Sequence, residues 1–281
     1  MLAVTGSTGA LGGLVARAVA DLDPVLLVRD ASRAPDLGCE VRVAGYSDVG
    51  AAATLHGVRT LFMVSGSESA TRRAEHRAFV DAAVRAGVRH VVYTSFAGAS
   101  PDATFTLGRD HHDTEQALAK ARASEGMTTT VLRDNFYADL LPLFADEVGV
   151  LRGPAGSGAD AGRVAAVARA DVAAVAEAVL RDPGAHAGAT YTLTGPEALT
   201  LDEIASRAGA VLDRPLTYHP ETVEEAWASR RAAYPGTPDW QVEAWVSTYT
   251  AIADGSVAEV TDDVRRVTGQ APRTLEDALR G

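Results

Sequence analysis

The stretch VTGSTGALGG, Val4 to Gly13, constrains the fold more than any other part of the chain. It spaces Gly6, Gly9 and Gly12 three apart, directly after the apolar run Leu2–Val4 and directly before a helical pattern that begins at Leu11. A glycine triplet is informative when it joins the first strand of a β-α-β unit to its first helix. There the first glycine allows the tight turn, the second lets the backbone approach a pyrophosphate, and the third lets the helix pack closely on the sheet.

The rest of the N-terminal part supplies that context. Short runs rich in Val and Leu recur at Val25–Val28, Glu40–Ala44, Thr60–Val64, His90–Thr94, Thr128–Leu132 and Thr190–Leu193. Between them lie stretches of helical period at Leu11–Ala20, Val49–Leu55, Ser69–Ala86 and Asp110–Ser124. Strands that read as continuous apolar runs are buried on both faces, and their alternation with helices predicts an α/β fold: a Rossmann-type doubly wound parallel sheet. After Leu132 the pattern changes. Residues 149–162 are rich in Gly, Pro and Ala and read as a loop, and a helix capped by Asp171 follows and closes before Pro183. From Thr200 the chain is mostly helical, with capping-box spacing at Thr200/Glu203 and Thr222/Glu225. The expected division is a nucleotide-binding domain over residues 1–198, with 135–160 contributing to a second lobe, and a smaller, mostly helical lobe over 199–281.

The glycine turn is read as a cradle for a dinucleotide, held by Gly6, Ser7, Thr8, Gly9, Ala10, Leu11 and Gly12, with the diphosphate at the start of the helix where free N–H groups and the helix dipole favour negative charge. The end of the second strand separates NAD from NADP. A carboxylate there would bond the ribose 2′-hydroxyl, and an arginine would pair with a 2′-phosphate. The sequence reads LLVRDASR, with Arg29 at the strand end, Asp30 next and Arg33 a turn later. Arg29 favours NADP(H); Asp30 argues the other way. Ser65, Gly66 and Ser67, after the fourth strand, are candidates for the ribose and nicotinamide side.

Composition removes several chemistries. A net charge of -11 without a basic run excludes direct nucleic-acid binding as the expected role. No stretch of about 18 apolar residues spans a bilayer. Neither a signal segment nor a disulfide is expected, since the one cysteine is Cys39, and the expected location is the cytoplasm. The one lysine is Lys120, with Gln116 four positions before it, so the Tyr-x-x-x-Lys pair of ordinary short-chain dehydrogenases is impossible here. His111 opens the helix after the fifth strand with Glu115 one turn below, a spacing at which the carboxylate can orient the imidazole as a proton donor. No further ligands accompany this pair, and no metal site is expected. Trp227, Trp240 and Trp245 all lie in the C-terminal lobe, as core or as the wall of a pocket for a flat aromatic molecule.

VTGSTGALGG, LLVRDASRA, AGVRHVVYTS, HHDTEQAL, TTTVLRDNFY and YTLTGPEALTLDEIA together resemble the NmrA-like group of atypical short-chain dehydrogenases, in particular its NADPH quinone reductase and triphenylmethane reductase branch, from residue 1 to about 220. The resemblance implies a Rossmann domain holding NADPH and a small C-terminal lobe that makes a substrate cleft. Carried over by position, cofactor contacts are Gly6 to Leu11, Arg29, Ser65 to Ser67 and the segment Asp134 to Tyr137, including Asn135. Relatives often have Pro-Gly where this chain has Asp134-Asn135, and Asn is the residue that best takes a positive φ in place of glycine. His111 falls where relatives carry lysine or histidine. The expected activity is hydride transfer from NADPH to a quinone or similar conjugated aromatic acceptor, with His111, helped by Tyr137, as proton donor, and with a homodimer as the expected assembly. The group also contains NADP-binding members that sense redox state through a protein partner, which is the alternative. A sugar-nucleotide epimerase shares the glycine turn but relies on the missing Tyr-Lys chemistry.

Overall fold

The computed structural model describes every residue from Met1 to Gly281. Its elements run β1 (Leu2–Thr5), α1 (Ala10–Ala18), β2 (Val25–Val28), β3 (Val41–Val43), α2 (Ala51–Thr54), β4 (Thr60–Met63), α3 (Arg72–Ala86), β5 (His90–Phe96), α4 (Thr106–Glu125), β6 (Thr128–Asp134), β7 (Val150–Gly153), α5 (Arg169–Arg181), β8 (Thr190–Leu193), α6 (Leu201–Val211), β9 (Thr217–Pro220), α7 (Val223–Ala233), α8 (Asp239–Ala253), α9 (Asp263–Thr268) and α10 (Leu275–Arg280). The predicted doubly wound α/β fold is what the chain adopts. Seven strands form one sheet in the order β3-β2-β1-β4-β5-β6-β8. Strand order reverses between β1 and β4, where an open α/β sheet leaves a crevice at the carboxyl ends of its strands.

The runs that read as continuously apolar do so because both sheet faces are covered. Ala3, Leu27, Leu61, Met63, Val91 and Tyr93 join Phe79 of α3 and Leu118 of α4 in one core. Their neighbours Val4, Leu26, Phe62 and Val92 are completely buried on the opposite face. No helix is long and apolar enough to cross a membrane.

The chain forms two compact units that do not follow the linear division at residue 198. The first comprises residues 1–96, 110–133 and 172–191; the second comprises 97–109, 134–171 and 192–281. Segments 97–109 and 134–171 therefore belong with the helical C-terminal part. Within the second unit, residues 149–162 are not all loop. Val150–Gly153 forms β7, which pairs in parallel with β9, Val150 opposite Thr217 and Gly153 opposite Pro220. Each of these strands has four residues and is flanked or ended by Gly or Pro, so local signals hid a pairing made across more than sixty residues. Leu151 and Leu216 then pack with Ala205 and Ala208 of α6 in a small separate core.

Both expected capping boxes form, on Thr200 with Glu203 and on Thr222 with Glu225. Asp171 is not a cap. It lies in the first turn of α5, and its buried carboxylate accepts from the Arg273 backbone N–H at 2.7 Å and from the Arg273 guanidinium. This pair ties the C-terminal segment to α5 by charge-assisted bonds. Asp171→Ala is expected to lower stability by about 2 kcal/mol, between the values for exposed and fully buried pairs, read as a shift in urea midpoint. The same substitution should speed amide exchange in α10.

Candidate functional site

A cavity of about 460 Å³ opens at the carboxyl ends of β1, β2 and β4 and is lined by Gly6, Thr8, Gly9, Arg29, Tyr46 and Ser65–Ser67 among others. The glycine turn shapes its floor. Gly6 sits at φ +64°, and its carbonyl accepts the Gly9 N–H at 2.8 Å. A Cβ on Gly12 would overlap the Gly6 carbonyl oxygen, so only glycine lets α1 start this close to the turn. Gly9 at the N-cap offers no side-chain cap, and the first turn of α1 carries no acidic residue. The positive end of α1 is thus uncompensated by the chain itself, which is what a diphosphate requires. Ser7 Oγ is buried beside it with no hydrogen-bond partner. The site fits the dinucleotide read from the sequence.

At the end of the second strand the two charges lie in different places. Arg29 lines the cavity. The Asp30 carboxylate instead caps its own turn, accepting from Ser32 N–H at 2.9 Å and from Ser32 Oγ at 2.7 Å. These bonds hold its carboxyl below the usual carboxylate range.

Beyond β4 the backbone leaves the sheet, and three successive N–H groups are each received by a side chain. Val64 N–H donates to Thr5 Oγ1 at 2.8 Å, Ser65 N–H to Thr94 Oγ1 at 2.8 Å, and Gly66 N–H to His76 Nε2 at 2.9 Å. Below this loop lies a buried polar cluster that the sequence reading missed. Arg72 Nε donates to Gly66 O at 2.9 Å, and Arg72 Nη2 meets His111 Nε2 at 3.1 Å. The other His111 nitrogen meets Tyr93 Oη at 3.1 Å. Because a guanidinium can only donate, His111 Nε2 accepts and its proton sits on Nδ1. Burial and the adjacent Arg72 charge push His111 well down and His76 to about 3, so both imidazoles are neutral.

The expected His111–Glu115 pairing does not form. Glu115 accepts from Ser95 Oγ at 2.6 Å and from both Arg133 Nε and Nη2, at 2.9 and 2.7 Å. A guanidinium offers this carboxylate two parallel charge-assisted bonds, which a neutral imidazole cannot match.

In the second unit, Tyr137 Oη donates to Asp134 Oδ2 at 3.1 Å, while Asp134 Oδ1 is buried with no partner. Burial pushes both groups upward, well above an ordinary carboxylate and an ordinary phenol. Asn135 does not adopt the positive φ expected of a glycine substitute. Its side chain is spent on the backbone, with Nδ2 donating to Val257 O at 2.9 Å and Oδ1 accepting from Phe136 N–H at 2.7 Å. Trp227 packs on Ala226, Val242 and Val246 beneath the Arg231 guanidinium, and Trp245 meets Tyr234 edge-on at 5.2 Å. The first unit therefore brings together the glycine turn, Arg29 and Ser65–Ser67, while Asn135 and Tyr137 belong to the second. Arg72 and His76, spaced i and i+4 in RRAEHRAF, were the available signal for the missed cluster, and it reads equally as a solvated helix face.

Comparison with known proteins supplies the family. Residues 1–235 match the NmrA-like family. Quinone oxidoreductase 2 of Escherichia coli is 31% identical, with 99% of this chain and 97% of that protein covered. The NAD(P)H azoreductase of Xenophilus azovorans is also 31% identical, with 99% and 96% covered. The crystal structure of the Escherichia coli NADPH-dependent quinone oxidoreductase complexed with NADPH superposes with a TM-score of 0.86 at 30% identity, covering 100% of this chain and 99% of that one. The Citrobacter triphenylmethane reductase complexed with NADP(H) gives a TM-score of 0.83 at 29% identity, again covering 100% and 99%. The family match over residues 1–235, with relatives 31% identical along nearly the whole chain, makes this protein a member of the NmrA-like family.

Proposed function

We propose that this protein is an NADPH-dependent reductase that passes hydride to a quinone or another conjugated aromatic acceptor. The observation that carries the reading is the cavity in which an uncapped helix N-terminus and Arg29 face the same space while Asp30 is held in its own turn. The relatives named as quinone oxidoreductase, azoreductase and triphenylmethane reductase support the class of acceptor.

NADPH supplies the hydride when bound. The chain's part is to hold and orient. The N–H groups at the start of α1 receive the diphosphate, Arg29 pairs with the 2′-phosphate, and the Ser65–Ser67 loop takes the ribose side. For an acceptor whose reduced form is a stabilised anion, positioning two flat rings and excluding water matter more than a strong acid. Of the two candidate proton donors, Tyr137 carries a phenolic O–H already ordered by Asp134. His111 has both ring nitrogens engaged and is neutral, so its role in this reading is to fix Tyr93 and Arg72.

Four outcomes are expected. Purified protein loaded with NADPH should lose the reduced-nicotinamide absorbance on addition of some member of a quinone panel; tight NADPH binding with no turnover on any acceptor would favour the redox-sensing alternative. Arg29→Ser should raise Kd for NADPH by about 10- to 100-fold and leave NADH little changed, the size of a lost charge-assisted contact. Tyr137→Phe should lower kcat by about tenfold or more with Kd for NADPH unchanged. Asp134 adds a pH signature. Its folded carboxyl keeps a proton that the unfolded chain releases above about pH 4, so the native state binds more protons and stability falls as pH rises. Asp134→Asn removes that linkage, and its melting-temperature advantage over the parent should grow from pH 4 upward.

A further inference from the structure

Arg72 and His76 stand one turn apart on α3 and converge on a single residue, Gly66, one on each of its two flanking peptide groups. Arg72 Nε holds the Gly66 carbonyl at 2.9 Å, and His76 Nε2 receives the Gly66 N–H at 2.9 Å. Gly66 lines the cavity between Ser65 and Ser67. We propose that Arg72 and His76 are positioning residues for the bound dinucleotide, gripping the cavity loop at the two peptide groups that flank the Gly66 Cα. This rests on the NADPH reading above and extends it to residues that line no part of the cavity themselves.

Proton directions within the cluster close without conflict. His76 Nε2 accepts, so its proton sits on Nδ1 and donates to Thr114 Oγ1 at 2.8 Å, and Thr114 passes its own proton to Asp110 O at 3.0 Å. The groups facing His76 are Arg72 on its own helix, Tyr46 edge-on at 5.6 Å, Tyr93 of β5 at 6.1 Å, and Thr114 of α4. A charged imidazole there would lose its acceptor and face the guanidinium.

Fold stability alone gives no reason for this arrangement. Arg72 is 3% exposed and His76 fully buried. The carboxylate nearest Arg72 is Asp110 at 3.6 Å, and Arg72 Nη1 makes no hydrogen bond. A guanidinium kept dry with one loose counter-charge is expensive, and apolar residues of similar volume commonly pack at least as stably. What the pair gains is a loop fixed at the atoms beside the cavity. Space is tight as well: a Cβ on Gly66 would come within 3.1 Å of His76 Nε2.

The test uses His76→Gln and His76→Asn in the full chain, with Kd for NADPH from nicotinamide fluorescence and the melting temperature of each variant. Gln can place its amide oxygen where Nε2 accepts from Gly66; Asn reaches only the Thr114 side. Gln should therefore keep Kd within about threefold of the parent while Asn weakens it about tenfold or more, the effect of one lost buried hydrogen bond, with similar melting temperatures. Arg72→Met should weaken NADPH binding without a matching loss of melting temperature, and Arg72→Lys should recover part of it. Equal Kd for parent, Asn and Met proteins overturns the proposal, as does a loss of affinity that follows melting temperature alike in Gln and Asn. A parent protein that binds no NADPH overturns the cofactor reading together with it.

Discussion

Everything at the cavity depends on how closely the first helix can approach the first turn. The Gly6 carbonyl lies where a side chain at position 12 would have to be, and the same carbonyl accepts the Gly9 N–H that shapes the turn. One oxygen atom therefore sets both the bend of the chain and the height of α1 over the sheet. With a Cβ at position 12 the helix would lift, and its free N–H groups would no longer point across the crevice where strand order reverses. Steric exclusion of one carbon thus fixes the place of a fractional positive charge, and that charge is the electrostatic feature by which the site would recognise a diphosphate.

The opposite wall is held by other means. The backbone ladder between β4 and β5 ends at Met63 opposite Tyr93, and beyond it the side chains of Thr5, Thr94 and His76 receive the N–H groups of Val64, Ser65 and Gly66 in turn. The three acceptors come from β1, β5 and α3. A loop that would otherwise choose among many conformations is tied to three separate elements, two strands of the sheet and a helix packed on it, and the entropy of ordering it falls on folding rather than on binding. Tyr46 adds a further brace, donating to Val64 O and stacking on Phe79 at 4.3 Å.

The sheet was legible because burial on both faces writes itself into the chain as apolar runs, and the turn was legible because close approach demands glycine. The capping boxes at Thr200 and Thr222 were legible for the same reason, since each is complete within four residues. What escaped was non-local. β7 and β9 are strands only because each finds the other across the second unit. Glu115 lies one helical turn from His111, yet bonds Arg133, which local spacing cannot announce. Asn135 was read as a glycine substitute by its backbone tolerance, whereas its side chain serves Val257, more than a hundred residues away. Arg72 and His76 sit in a helix whose polar residues otherwise face water, and nothing in their spacing distinguishes a buried pair from an exposed one.

The neighbours Arg29 and Asp30 show how such ambiguity is settled by backbone direction. Two opposite charges in sequence would cancel if both faced the same space. At the end of an extended strand, successive side chains point to opposite sides, so the pair is divided before any interaction is considered. The 3₁₀ turn that follows completes the separation: Asp30 accepts both the N–H and the hydroxyl of Ser32, bonds that engage the carboxylate in the direction of the turn and leave Arg29 on the cavity wall. An aspartate here therefore acts as a cap, and under the proposed reading a preference for an extra phosphate would follow from which of the two charges the turn consumes.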